Sequence, residues 1–301
     1  MAMSFNFVEY KKIWFSISSI LVLTSLVLVV MWGLNPGIEF TGGSSLSVRY
    51  QEQPTLEEVR DKMGEFDFPS QVRLVGDKGV VVQIPRKSVG QDLQGEITNK
   101  LREIGEMQEE SQGFETISSV IGEELKNKTS LIVFLSLFAI LIYITFAFRK
   151  ISRPIPSWQY GLATIIALFH DVMIPLGVFA YLGHQYGVQI TIPIVTALLT
   201  VFGYSVNDTV VIFDRVRENL VKGEGVDYSS TVNFALNQTL TRSINTSLTT
   251  LFVLTAIFLV GGSTLHYFSL ALILGVVCGT YSSLFLAAPL LAWWRERKIT
   301  S

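Results

Sequence analysis

Asp208 and Asp171 are carboxylates set inside long apolar stretches, and that placement is the first sign of chemistry in the chain. An ionisable side chain within a membrane-spanning helix costs several kcal/mol, so it faces a bundle interior or water and marks a path for ions or protons. Asn207 adjoins Asp208, and Ser205 and Thr209 stand near enough to hydrogen-bond it or to hold water. Counted from Ile190 at 1.5 Å per residue, Asp208 lies roughly 27 Å along its helix, away from the helix start. His170 adjoins Asp171 near the middle of another apolar run, and either can join a proton path, because burial changes the pH at which such groups exchange protons. Arg242 stands where a further run begins, a position that snorkelling alone explains. Plainer roles stay open beside these: Asp208 paired permanently with an Arg to hold helices together, and Asp171 as a helix-to-helix hydrogen bond.

Other chemistries find no support. There is no GxxxxGK[ST] loop, no His-Glu-x-x-His pair and no G-x-S-x-G elbow, so the sequence predicts neither nucleotide hydrolysis nor another enzyme activity. The single cysteine, Cys278, lies in an apolar run, which excludes an internal disulfide framework and a Cys-based metal site. No cofactor and no metal are expected. With a net charge of -2, the chain lacks the bulk basic character of a nucleic-acid binder.

The elements that carry these residues read as membrane spans. Hydrophobic residues make up 49% of the 301, charged residues only 16%, and mean hydropathy is +0.44. Six apolar runs are long enough to cross a bilayer or nearly so: Ile13–Leu34, Ser130–Phe148, Ser157–Leu182, Ile190–Phe213, Asn245–Gly262 and His266–Trp294. The first is too long for a signal-peptide core and is expected to remain as an anchor. Tyr228–Leu240 carries apolar residues at helical spacing and predicts a helix lying along the membrane surface. Basic residues cluster at Lys11 and Lys12, at Arg149, Lys150 and Arg153, at Arg215, Arg217 and Lys222, and at Arg295, Arg297 and Lys298. The loops around Gly183–Gln189 and Gly262–Leu265 have none, which places both termini in the cytoplasm.

The polar segment from Pro36 to Lys128 then falls on the opposite side. Strands are expected at Ser44–Tyr50, Gln71–Val75, Val80–Ile84 and Phe114–Ile121, with helices at Thr55–Phe66 and Val89–Ile104. That is the β-α-β-β-α-β order of a ferredoxin-like domain. The expected organisation is therefore an N-terminus and first span over 1–34, an extracytoplasmic α+β domain over 35–128, and five further spans over 129–301.

Several blocks carry a family resemblance. Gly37-Ile38-Glu39-Phe40-Thr41-Gly42-Gly43 resembles the "GIDFTGG"-type signature of the SecD/SecF family, with Glu39 where Asp is common. The stretch Gly203-Tyr204-Ser205-Val206-Asn207-Asp208, continuing through Asp214 to Asn219, is similar to the family's fourth-span signature. Leu236–Ser247, Gly279–Ser283 and Ala167–Val172 resemble it as well, so the likeness runs across nearly the whole chain.

The resemblance implies a mostly α membrane protein, one half of a bundle of the resistance-nodulation-division (RND) type, in the bacterial cytoplasmic membrane. It implies SecD and the SecYEG channel as partners, an exported unfolded polypeptide as cargo, and the proton-motive force as energy source. Asp208 and Arg242 carry over as relay residues, joined by Asn207, Asp171 and His170, with a further acidic partner in SecD. Gly37, Phe40, Thr41, Gly42, Gly43, Gly203, Asp214 and Gly279 carry over as structural positions. Two rivals stay open: a non-conducting scaffold for SecD, and an RND-type efflux half-transporter, for which the ninety-odd residues between the first two spans are few.

Overall fold

The computed structural model describes residues 5–85, 89–108, 113–149 and 155–300; Lys150 and Arg153 of the second basic cluster lie outside them. The described residues form two compact units. One gathers Leu34–Ile132 with Leu182–Ile192, and the other holds most of the long apolar helices.

In the first unit a short helix α2 (Ile38–Thr41) turns into strand β1 (Gly43–Arg49), followed by α3 (Leu56–Gly64), β2 (Gln71–Val75), β3 (Gly79–Pro85), α4 (Gln91–Arg102) and β4 (Gly113–Ile117). The sheet order is β2-β3-β1-β4 with every pairing antiparallel, which is the ferredoxin-like arrangement. Alternation along β1 and β3 puts Leu46, Val48, Val80, Val82 and Ile84 on one face, where they bury with Val59, Met63, Ile97 and Leu101 of the two helices. Thr55 starts α3 through a capping box with Glu58.

The last strand is shorter than expected. It stops at Ile117, and Val120 and Ile121 belong to the next helix. Their β-branched side chains suited a strand, but no neighbouring strand extends that far, and the helix that follows takes them up.

Among the described residues six helices are long and apolar enough to cross a membrane. They are α1 (Lys11–Trp32), α5 (Ser119–Ala147), α6 (Ser157–Tyr186), α7 (Ile192–Lys222), α8 (Tyr228–Val260) and a last rod. That rod is built from α9 (Gly262–Ser282), a π-helical turn (Ser283–Ala287) and α10 (Ala288–Thr300). Most of the helices outrun the apolar stretches that announce them, because polar residues continue a helix into water.

One expectation is corrected here. Tyr228–Leu240 is no separate surface helix: it is continuous with the fifth span as α8. Its apolar stripe faces protein, since Tyr228, Val232, Ala235 and Leu236 bury against a cluster that includes Phe213, Val216 and Leu291. Asp227 caps the start through Ser230. Apolar residues at helical spacing look the same whether lipid or another helix covers them.

The bundle closes with small residues and hydroxyls, as expected where lipid gives no hydrophobic reward for helix contact. A Cβ on Gly275 would lie 2.1 Å from a methyl of Val201, and one on Gly177 would meet Ser25 at 2.5 Å. Tyr204 donates to Ser247, and Ser247 meets the hydroxyl of Thr280 at 2.5 Å, forming a polar seam across α7, α8 and α9.

Candidate functional site

Asp171 sits on α6 with no exposed surface. Its Oδ1 is 2.9 Å from Nδ1 of His170, and its Oδ2 accepts from Ser205 on α7 at 2.5 Å and from Ser282 on α9 at 2.7 Å. Three helices therefore converge on one carboxyl group. Ser205 reaches it because Gly279 faces it; a Cβ there would come within 3.1 Å of the Ser205 Cβ. The His170 ring stacks on Tyr281, whose hydroxyl contacts Ser18 of α1 at 3.4 Å. Nε2 of His170, buried, has no hydrogen-bond partner among the described residues.

Asp208 lies one turn beyond Ser205 on α7 and is half-buried. Oδ1 accepts from Ser243 of α8 at 2.6 Å, and Oδ2 accepts a short hydrogen bond from Ser283. Neighbouring Thr209 is fully buried, and its hydroxyl has no hydrogen-bond partner among the described residues. Asn207 and Gly203 are exposed on the same helix.

Arg242, next to Ser243 on α8, is also exposed and lines a cavity of about 290 Å³ with Asp214, Arg215, Arg217 and Glu218. Among the described residues it forms no ion pair with Asp208, whose oxygens are bound by serines. The static Asp–Arg clamp is thus replaced by hydroxyl donors. Asp214 lies farther along α7, 3.6 Å from Arg217 and largely exposed, while Arg215 pairs with Glu218 at 2.7 Å.

The glycine-rich turn belongs to the other unit. Gly42 and Gly43 have φ of 67° and 135°, values that residues with a Cβ rarely adopt. The backbone there is also crowded: a Cβ on Gly122 of α5 would lie 2.7 Å from the Gly42 nitrogen and 3.1 Å from the Phe40 carbonyl. Thr41 donates within the turn to Gly37 and Gly42 carbonyls. Gly37 donates its N–H to Ile190 at 2.9 Å, and Ile190 donates to Asn35 at 2.7 Å, so the α6–α7 loop is stitched to this turn. Burial raises the pKa of Glu39 above the usual carboxylate value, with Arg73 opposing and Glu115 adding to the rise.

In the sequence Ser243, Ser282 and Ser283 stand out only as parts of the blocks Leu236–Ser247 and Gly279–Ser283. Nothing in their spacing from Asp171 or Asp208 announces them, because each donor comes from a different helix than its acceptor. Charge in an apolar run is a local signal; a hydroxyl in such a run is not.

This geometry can do acid–base work without a nucleophile. Two carboxyl groups, a histidine and a set of hydroxyls can take up, hold and release protons, and among the described residues no cluster of His, Cys, Asp and Glu could ligate a metal.

Residues 96–297 match the family "Protein export membrane protein SecD/SecF, C-terminal", and residues 33–54 match the "SecD/SecF GG Motif". The chain is 35% identical to a protein translocase subunit SecF of Thermobaculum terrenum, over 97% of its own length and 94% of the relative's. It is 36% identical to that of Synechocystis sp., over 98% and 95%. Among solved structures it is similar to SecDF, a translocon-associated membrane protein from Thermus thermophilus, with a TM-score of 0.86 at 32% identity over 98% of this chain. It is also similar to SecDF in a super-membrane-facing form, with a TM-score of 0.72 at 31% identity over 100% of this chain. The chain spans only about two fifths of those SecDF chains, 39% and 40%. With a family model over most of its length and relatives that match it nearly end to end, this multi-pass membrane protein belongs to the SecF family of protein translocase subunits.

Proposed function

We propose that this chain acts with SecD in protein export through SecYEG, and that the proton-motive force drives it by protonation and deprotonation of Asp208. In this reading the complex sits in the bacterial cytoplasmic membrane, surrounded by lipid, with both termini in the cytoplasm. Residues 35–128 form the extracytoplasmic domain, which handles the unfolded polypeptide as it emerges.

One observation carries the reading. Asp208 is half-buried at the edge of an exposed polar face on α7 and α8, where Gly203, Asn207, Arg242, Asn245, Thr246 and Thr249 lie uncovered in helices long and apolar enough to span a membrane. Polar groups of this kind are not left against lipid. A partner with its own polar face, or water enclosed by that partner, satisfies them, and SecD is the partner that the SecDF similarity supports. The match to a SecDF described as being in a super-membrane-facing form is in keeping with a working cycle that changes shape. Asp171 and His170 then serve as an inner proton-holding group behind Asp208, and Arg242 sets the local field at the polar face.

Asp208→Asn tests this. The variant should still co-purify with SecD but lose proton-dependent export in inverted vesicles, while ATP-dependent translocation continues. Full export by the variant would overturn the relay. Loss of the SecD complex would instead favour a scaffold.

A further inference from the structure

The two carboxyl groups share a support. Ser282 donates to Asp171 and the next residue, Ser283, donates to Asp208. On α7 the arrangement repeats with roles exchanged: Ser205 donates to Asp171, and Asp208 is the acceptor one turn later. Each carboxyl is thus held by the last span, and each is tied to α7.

The last span is irregular at this point. The α-helix α9 ends at Ser282, with the Ser283 N–H still bonded to the Gly279 carbonyl, and a π-helical turn occupies Ser283–Ala287. Single π-helical turns interrupt α-helices mostly at functional sites, because a carbonyl loses its regular partner there and the helix can be re-registered locally. Both serines also have a second acceptor within reach. Ser282 lies 3.2 Å from the Gly279 carbonyl, and Ser283 lies 3.1 Å from the Thr280 carbonyl. A hydroxyl carries one proton, so each serine bonds either its carboxyl group or its own helix. A charged carboxylate is the stronger acceptor, whereas a protonated one competes poorly with a backbone carbonyl.

We propose that Ser282 and Ser283 are positioning residues that join Asp171 and Asp208 into one proton-binding unit, so that a proton gained at either carboxyl is felt at the other through the π-helical junction. The inference rests on the proton-coupled reading above and adds to it a route between the two acids. When Asp208 takes a proton from water, the Ser283 hydroxyl turns to the Thr280 carbonyl. The junction shifts, and the adjoining Ser282 loosens from Asp171. Loss of the proton restores both contacts. The covalent change is one O–H bond formed at Asp208 and one broken in the hydronium ion that gives up the proton, which leaves as water; the serines exchange hydrogen bonds only.

The ionisable neighbours are accounted for on each side. Asp171 faces His170 on its own helix and Cys278 on α9, and His170 in turn stacks on Tyr281. Asp208 has Arg242 beside its donor Ser243 on α8 and Asp214 farther along α7. None of these links the two acids directly, whereas the serine pair does.

The test uses the full chain with SecD in lipid vesicles and follows the carboxyl C=O stretch by infrared difference spectroscopy across a pH series. Asp171→Asn and Asp208→Asn assign the bands. Ser283→Ala should displace the midpoints of both bands, each by about one pH unit, and Ser283→Thr should restore both. Ser282→Ala provides the reciprocal measurement and decides the matter if Ser283→Ala does not assemble: it must move the Asp208 band as well. If each substitution moves only the carboxyl it touches, the serine coupling is wrong and the relay stands. If neither band titrates between about pH 4 and 10 in the unaltered protein, the relay and the coupling fall together.

Discussion

Asp171 and Asp208 lie in one bundle and are held by consecutive residues of one helix, yet their surroundings differ. Asp171 is wholly enclosed and meets two serines and a histidine, with α6, α7 and α9 fixed around it. Asp208 is half-buried, has two serine donors, and opens onto a polar face. The difference separates holding a fold from working within it. An enclosed acid with every oxygen bound is expensive to disturb, whereas an acid at the rim can change its charge because a partner or water can reach it.

Substitution at the enclosed acid should have the largest effect. Asp171→Ala leaves the buried Ser205 hydroxyl and a histidine nitrogen without an acceptor, while Ser282 keeps the Gly279 carbonyl, and should destabilise the helical unit by about 3 kcal/mol. Asp208→Ala should cost about 1 kcal/mol, because the site is half-buried, Ser283 retains the Thr280 carbonyl as an acceptor and only the Ser243 hydroxyl loses its partner. Thermal unfolding of the two variants in detergent, side by side, checks the contrast. Equal losses would erase it.

Gly279 sharpens the same comparison. Gly279→Ala sets a methyl 3.1 Å from the Ser205 Cβ and should cost about 1–2 kcal/mol by pushing Ser205 off Asp171. The infrared band of Asp171 should move while that of Asp208, which Gly279 does not crowd, should move much less. The reverse order would mean that Ser205 is not what steadies Asp171.

Glu39 extends the comparison to a carboxyl outside the spans, and here the effect should be smallest. Burial keeps its pKa above the ordinary value of 4.5, so above that value the folded state holds a proton that the unfolded chain has lost. Stability of the sheet unit should therefore fall as pH rises from about 4.5 through the folded pKa, and level off beyond it. Glu39→Gln should flatten this slope and slow exchange of β1 and β3 amides at neutral pH, measured by hydrogen exchange corrected for intrinsic rates. An unchanged slope would remove Glu39 as its source.

The last residues of the fourth strand and the start of α8 show how far local pattern reaches. Gln71–Val75 was readable to the residue because alternation and the Gly76-Asp77-Lys78-Gly79 turn bound it on one side, and Gly76 does take a φ of 61°. Val120 and Ile121 misled because a short apolar run with β-branched residues fits the end of a strand or the start of a helix alike. Tyr228–Leu240 misled for a related reason, since its stripe reports apolar cover without saying whether lipid or Phe213 supplies it.

By itself the sequence determined the six spans, the order of the small sheet and the two acids in apolar surroundings. These follow from backbone geometry and from the cost of charge in lipid, both properties of a short stretch of chain. Only the tertiary structure decided that Ser243 and Ser283 hold Asp208, that Ser205 and Ser282 hold Asp171, and that Arg242 stands apart from them. Those contacts depend on the rotation and depth of each helix against its neighbours. In a chain apolar on nearly every face, helical period alone cannot fix either one.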